Sequence, residues 1–155
     1  MNSIFNRKSI RKFKEKTIEP EKIEKLLKAG MQAPSAMNTQ PWEFLVVENK
    51  ESIIKISEMS KYAKPAYTSA CCIITLCNMK HIKEKKMDDW FPQDMSACTE
   101  NILIQAVEEE LGAVWLGTYP DEERCKYLQK QTHYILRHCR NHLCFSLLFL
   151  MYIHQ

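Results

Sequence analysis

Glycine is scarce in this chain: three among 155 residues, beside six prolines, which excludes collagen-like and low-complexity classes. No internal repeat sets a period, so solenoid and propeller architectures are excluded too. An excess of charge of one sign is also lacking. The formal net charge of +3 with 10% aromatics rules out a disordered polyelectrolyte and gives no global nucleic-acid signal. The longest apolar run, residues 143–153 (LCFSLLFLMYI), is about half the ~20 residues that a membrane-spanning helix needs. Residues 1–11 lack the unbroken apolar stretch and small-residue cleavage site of a secretory signal, so a cytoplasmic protein without membrane contact is expected. The seven cysteines are odd in number and show no C-x-x-C spacing. Cys71, Cys72 and Cys77, in the run ACCIITLC, read as reduced thiols of an inner strand.

What is present is 45% hydrophobic and 26% charged residues, enough for one core, and a single domain over residues 1–155 is expected. Ile23, Leu26, Leu27, Gly30 and Met31 recur at helical spacing behind Pro20, which predicts a helix over 20–32. A polar loop, PSAMNTQP, and a strand from Trp42 to Val47 follow. Asn49 is placed to cap a helix carrying Ile53, Ile54 and Met59, and Ala70–Asn78 is the buried strand. After the charged connection HIKEKKMDD, a stripe of Met95, Cys98, Ile102, Leu103 and Ala106 predicts a helix over 94–111 with Gly112 as its stop. A third strand over 113–119 and a helix opened by Pro120, Asp121 and Glu122 complete an α/β or α+β alternation.

Two segments carry candidate chemistry. Six of the ten residues from Arg7 to Lys16 are basic, with Ser9 and Phe13 among them. Two guanidinium forks and a hydroxyl suit a phosphomonoester better than a long polyanion, and a solvated basic face is the alternative. In APSAMNTQPW, Ser35, Asn38 and Gln40 present neutral hydrogen-bonding groups on a loop fixed by two prolines; it either reads a polar heterocycle edge or is a turn that bonds its own backbone. Trp42, Trp90 and Trp115 read as packing aromatics, and Met31, Met37 and Met95 as core or interface filler. His133, His138, Cys139, His142 and Cys144 fit no common metal-ligand spacing, so no metal is expected.

The order RKSIRKF, APSAMNTQPW, then QDMSACTENILIQAVEEELGAVWLGTYP resembles the nitroreductase family of FMN-dependent oxidoreductases, over about residues 4–130. The resemblance implies a central, mostly antiparallel sheet flanked by helices in a domain-sharing homodimer. It further implies that Arg7 and Ser9 hold the FMN phosphate with Lys8 in the same run, and that Arg11 lies near the N1 and O2 edge of the isoalloxazine. Pro34, Ser35 and Asn38 correspond to a loop reaching the flavin from the other subunit, and Leu116 and Gly117 to the turn approaching flavin N5. NADH or NADPH would be the electron donor, and a small electrophile such as a nitroaromatic or quinone the acceptor. No side-chain acid or base is implied, and Asp94, Ser96, Glu100 and Asn101 take structural roles. A non-catalytic flavin- or nucleotide-binding relative, or a defective remnant with an altered C-terminus, is the alternative, and a basic nucleic-acid module a more distant one.

Residues 131–155 differ from all this. They hold no Asp, Glu, Lys, Gly or Pro but four of the five histidines. Residues from Leu143 to Tyr152 are largely apolar on both sides of a strand, so this atypical tail is expected either to join the sheet or to pack against a dimer partner, the alternative being a segment read out of frame with no place in the core.

Overall fold

A computed structural model describes residues 2–14, 16–82, 90–131 and 142–152, the last of these as backbone only. The histidines and cysteine of the tail at 133–139, Arg137, Arg140 and most of the charged connection HIKEKKMDD lie outside the described residues.

Helix α1 (Ser3–Asn6) is a single turn. Helix α2 (Pro20–Met31) begins with its proline at the first turn, where the missing N–H is not needed. Strand β1 (Trp42–Val47) leads to α3 (Lys50–Ser57), whose cap is Asn49: its side chain accepts from the Ser52 N–H at 2.9 Å. Strand β2 (Cys71–Asn78), α4 (Phe91–Glu108), β3 (Leu111–Gly117), α5 (Glu122–Gln131) and β4 (His142–Tyr152) follow.

The four strands form one antiparallel sheet in the order β1-β2-β4-β3. The tail thus joins the sheet as an inner strand rather than at an edge. Its backbone pairs with β2 from Cys71↔Leu150 to Asn78↔His142 and with β3 from Leu111↔Tyr152 to Gly117↔Ser146.

The continuous apolar run of β2 follows from burial on both faces. Cys71, Ile73 and Cys77 join Ile23, Leu26, Met95 and Ile102 of α2 and α4, while Cys72, Ile74 and Leu76 join Ile53, Ile56 and Leu128 of α3 and α5. Leu26, Ile53, Ile73 and Ile102 are completely shielded, and each contributes on the order of 1.5–3 kcal/mol by burial. Helices α2 and α4 approach closely at Gly30, where an added Cβ would stand 3.0 Å from Ile102 Cδ1 and 3.1 Å from Cys98 Sγ. Burial pushes the thiols of Cys71, Cys77 and Cys98 up to about 12, so at neutral pH they stay protonated and unreactive.

Several expectations are corrected. Helix α4 stops not at Gly112 but at Glu108, and the left-handed position after it is Glu110, at φ 61°; Gly112 lies inside β3 because the strand runs from Leu111 to Gly117, two residues earlier than the expected 113–119. Pro120 lies in the turn behind a cis peptide bond, and α5 starts at Glu122 with Asp121 Oδ1 accepting from the Arg124 N–H. Met59 falls beyond the end of α3. Trp90 is exposed rather than packed, whereas Met95 and Trp42 are buried and Trp115 packs partly against the core; Met31 and Met37 are exposed, which takes them out of the core and leaves the interface half of that expectation untouched.

Candidate functional site

The N-terminal basic run is laid along the free edge of β3. Ile10 donates its N–H to the Ala113 carbonyl at 2.9 Å, and Ser9 and Ala113 form a parallel bridge. In a parallel pairing the two chains advance together, so Arg11 is carried toward the C-terminal end of β3. There Arg11, Leu116 and Gly117 line one cleft of about 360 Å³ with Trp115, Lys61 and Arg124. Arg124 braces this end of β3: its Nη1 donates to the Gly117 carbonyl at 3.1 Å, and its Nε pairs with Asp121 Oδ2 at 3.0 Å. The cleft is therefore apolar at the strand and cationic at the rim.

Gly117 has an ordinary φ, and a Cβ built on it would meet nothing within 4 Å. The chain's own packing does not require glycine there; the room opens onto the cleft and is what a flat ligand brought close to the backbone would use. Two buried hydroxyls adjoin the implied binding residues, Thr118 beside Gly117 and Thr39 beside Asn38, and each Oγ1 lacks a hydrogen-bond partner among the described residues.

Helix α4 anchors the other implied binding residues. Arg7 caps α1, its N–H donating to the Ser3 carbonyl, and its Nε lies 3.4 Å from Glu100 Oε1. Lys8 and Ser9 are exposed. About two turns earlier on α4, the Asp94 Oδ1 accepts from the Ala36 N–H at 2.9 Å. Burial pushes the Asp94 carboxyl above the usual carboxylate range, and the Ala36 N–H opposes this by favouring the charged form.

The loop held by Asp94 is tightly wound, with Met37, Asn38 and Gln40 at φ 52°, 55° and 45°. Ser35 Oγ accepts from the Gln40 N–H at 3.0 Å, so this hydroxyl bonds its own loop. Pro34 and Asn38 are exposed, and Met37 is 80% exposed at the tip. None of Pro34, Ser35 and Asn38 lines the cleft of Arg11 and Gly117. Within one chain the implied binding residues thus fall into two sets.

Sequence reasoning missed Lys61 and Arg124 as cleft residues. Arg124 had a legible signal, its i+3 spacing from Asp121, whereas nothing local marks Lys61.

A family model for the nitroreductase family matches residues 4–70. A protein of Archaeoglobus fulgidus, provisionally named NADH dehydrogenase/NAD(P)H nitroreductase, is 43% identical over 130 residues, which are 84% of this chain and 74% of that protein. One of the same provisional name from Methanothermobacter thermautotrophicus is 36% identical over 84% of this chain and 66% of its own length. A solved structure from Clostridium acetobutylicum, provisionally named an NADH oxidase, superposes with a TM-score of 0.90 at 45% identity, covering 99% of this chain and 88% of the other. The chain belongs to the nitroreductase family of oxidoreductases. It spans about two thirds to three quarters of the length of these two curated relatives.

Proposed function

We propose that this protein is an FMN-dependent oxidoreductase that moves hydride from NADH or NADPH to a small electrophile such as a nitroaromatic or quinone, working as a homodimer in the cytoplasm. The observation that carries the reading is the meeting of Arg11, Leu116 and Gly117 in one cleft, with open space where a Gly117 side chain would be. Support also comes from a solved Clostridium difficile relative named an FMN-dependent nitroreductase, 26% identical with a TM-score of 0.85.

The residues present suit FMN. Arg7, Lys8 and Ser9 would hold its phosphate through charge-assisted bonds, Arg7 being steadied by Glu100. Arg11 would place a fixed cation where negative charge develops on reduction. Leu116 and Gly117 would let the ring lie against the end of β3, and Pro34, Ser35 and Asn38 would reach it from a second copy. FMN, when bound, supplies the reversible acceptance of hydride, so no side-chain acid or base is required. The exposed Ile4, Phe5 and Met37 are apolar surface for the dimer contact. Among the described residues no helix is long and apolar enough to cross a membrane.

The test is to purify the protein, record its visible spectrum and titrate it with NADH and NADPH. A yellow protein bleached by either nucleotide and reoxidised by a quinone is expected; a colourless protein that takes up no added FMN would overturn the reading.

A further inference from the structure

Beside the cleft at the end of β3 lies a larger one of about 1010 Å³, between residues 11–13 and the connection that follows α3. The two share Arg11, Ser60, Lys61 and Pro65 as walls, so one runs into the other. Arg11, Lys12, Lys61 and Lys64 line the larger cleft against a single carboxylate, Glu58. Of the lysines outside the cleft, Lys16, Lys25, Lys28, Lys55 and Lys126 each have a glutamate within 4 Å. Lys12 and Lys64 are exposed and form no ion pair with a described residue. Tyr67, 57% exposed, offers a ring at the same cleft.

We propose that the larger cleft takes the adenylate half of the nicotinamide donor, and that Lys12 and Lys64 bind the ribose 2′-phosphate that distinguishes NADPH from NADH. This rests on the reading of the smaller cleft as the place where hydride moves. With the flavin ring against Gly117 in the cleft of about 360 Å³, a nicotinamide stacked over it has no room there for the rest of its dinucleotide, which would extend into the depression that opens beside it. Beyond Arg11, the three lysines Lys12, Lys61 and Lys64 against one acid match a dianionic phosphomonoester and give nothing to the neutral hydroxyl that NADH carries at that position. The Tyr67 ring suits a stacked adenine.

The experiment uses the full-length protein and three probes, 2′,5′-ADP, 5′-ADP and inorganic phosphate, in titration calorimetry. The first two carry the same number of phosphates in different places. Binding of 2′,5′-ADP roughly tenfold or more tighter than either other probe is expected, the difference being lost in a Lys12→Ala, Lys64→Ala double variant. In turnover the double variant should lose roughly ten- to a hundredfold in kcat/KM for NADPH and keep its value for NADH. Equal affinity for the three probes, or an equal fall with both nucleotides, would overturn the proposal. The calorimetry needs neither flavin nor turnover, so a protein that selects 2′,5′-ADP but never takes up FMN would refute the proposed function and leave this inference standing.

Discussion

Strand β3 has two edges, and they are held very differently. One carries β4 through a ladder of residue pairs running from Leu111↔Tyr152 to Gly117↔Ser146; the other carries the N-terminal run through a single bridge at Ser9↔Ala113 and one N–H···O bond from Ile10. With a net worth of about 1 kcal/mol for each backbone hydrogen bond, the ladder is a stability device and the bridge is not. Yet Arg7, Lys8, Ser9 and Arg11 all hang on the bridge, and no implied binding residue lies on β4. The C-terminal strand thus holds the sheet together, while the basic run implied in binding hangs on the other edge of β3.

The largest way to break this comparison is to delete residues 131–155. Strand β4 lies between β2 and β3, so its loss opens an edge on each and leaves β3 without a strand neighbour. Domains of this size have only about 5–15 kcal/mol of stability in total, so the truncated chain should show no cooperative thermal transition by circular dichroism. A truncated protein that keeps its melting temperature and oligomeric state would show that β4 carries none of the stability.

The bridge side should fail in function first. Arg7→Ala removes a charge-assisted phosphate contact worth about 1.5–3 kcal/mol, so FMN affinity should fall roughly ten- to a hundredfold with the melting temperature of the flavin-free protein nearly unchanged. Arg11→Ala should act on chemistry instead. Without its cation the reduced cofactor is less stable, so the potential should become more negative and hydride uptake slower, with a smaller loss of affinity. The two variants separate in a fluorescence titration with FMN and a photoreduction against a dye of known potential. Equal losses of affinity, with an unaltered potential in the Arg11 variant, would merge the two roles.

How much of this was legible follows the same division. The polar N-terminal run and the loop at 34–41 are short motifs of unusual residues, and they pointed to the family before any coordinates. The helical stripe of α2, the Asn49 cap and the all-apolar β2 were readable because periodicity and capping are local. The tail was not placeable, since an all-apolar run states that it must be covered without stating by what. Strand β4 nonetheless pairs with both β2 and β3 along its described length. Lys61 and the grip of Asp94 on the loop were invisible for a related reason: each joins segments distant in sequence.

A smaller prediction concerns the entry into β3. Glu110 has φ 61° immediately after α4, a conformation that costs a residue with a Cβ about 1 kcal/mol and glycine almost nothing. Glu110→Gly should therefore raise stability by up to about 1 kcal/mol, less the extra freedom glycine gives the unfolded chain. Urea denaturation measures it. A destabilised variant would mean that the glutamate side chain contributes more than its backbone geometry costs.

The smallest expected effect tests how α4 holds the loop that the ladder does not reach. Burial raises the Asp94 carboxyl above its ordinary value, outweighing the opposing Ala36 N–H. The folded protein therefore binds this proton more tightly than the unfolded chain does, and the stability it contributes is complete below the ordinary carboxylate pKa and is lost as pH rises through the folded value. Asp94→Asn keeps an acceptor for the Ala36 N–H but cannot ionise. The stability of the wild type relative to this variant should therefore decline as pH rises from about 3 to 7, and thermal melts across that range read the sign directly. Asp94→Ala, with no acceptor, should instead be weaker than the asparagine variant at every pH, because the Ala36 N–H loses its anchor. A wild type that gains on the asparagine variant as pH rises would reverse the balance, making the hydrogen bond to the carboxylate stronger than the cost of burying it.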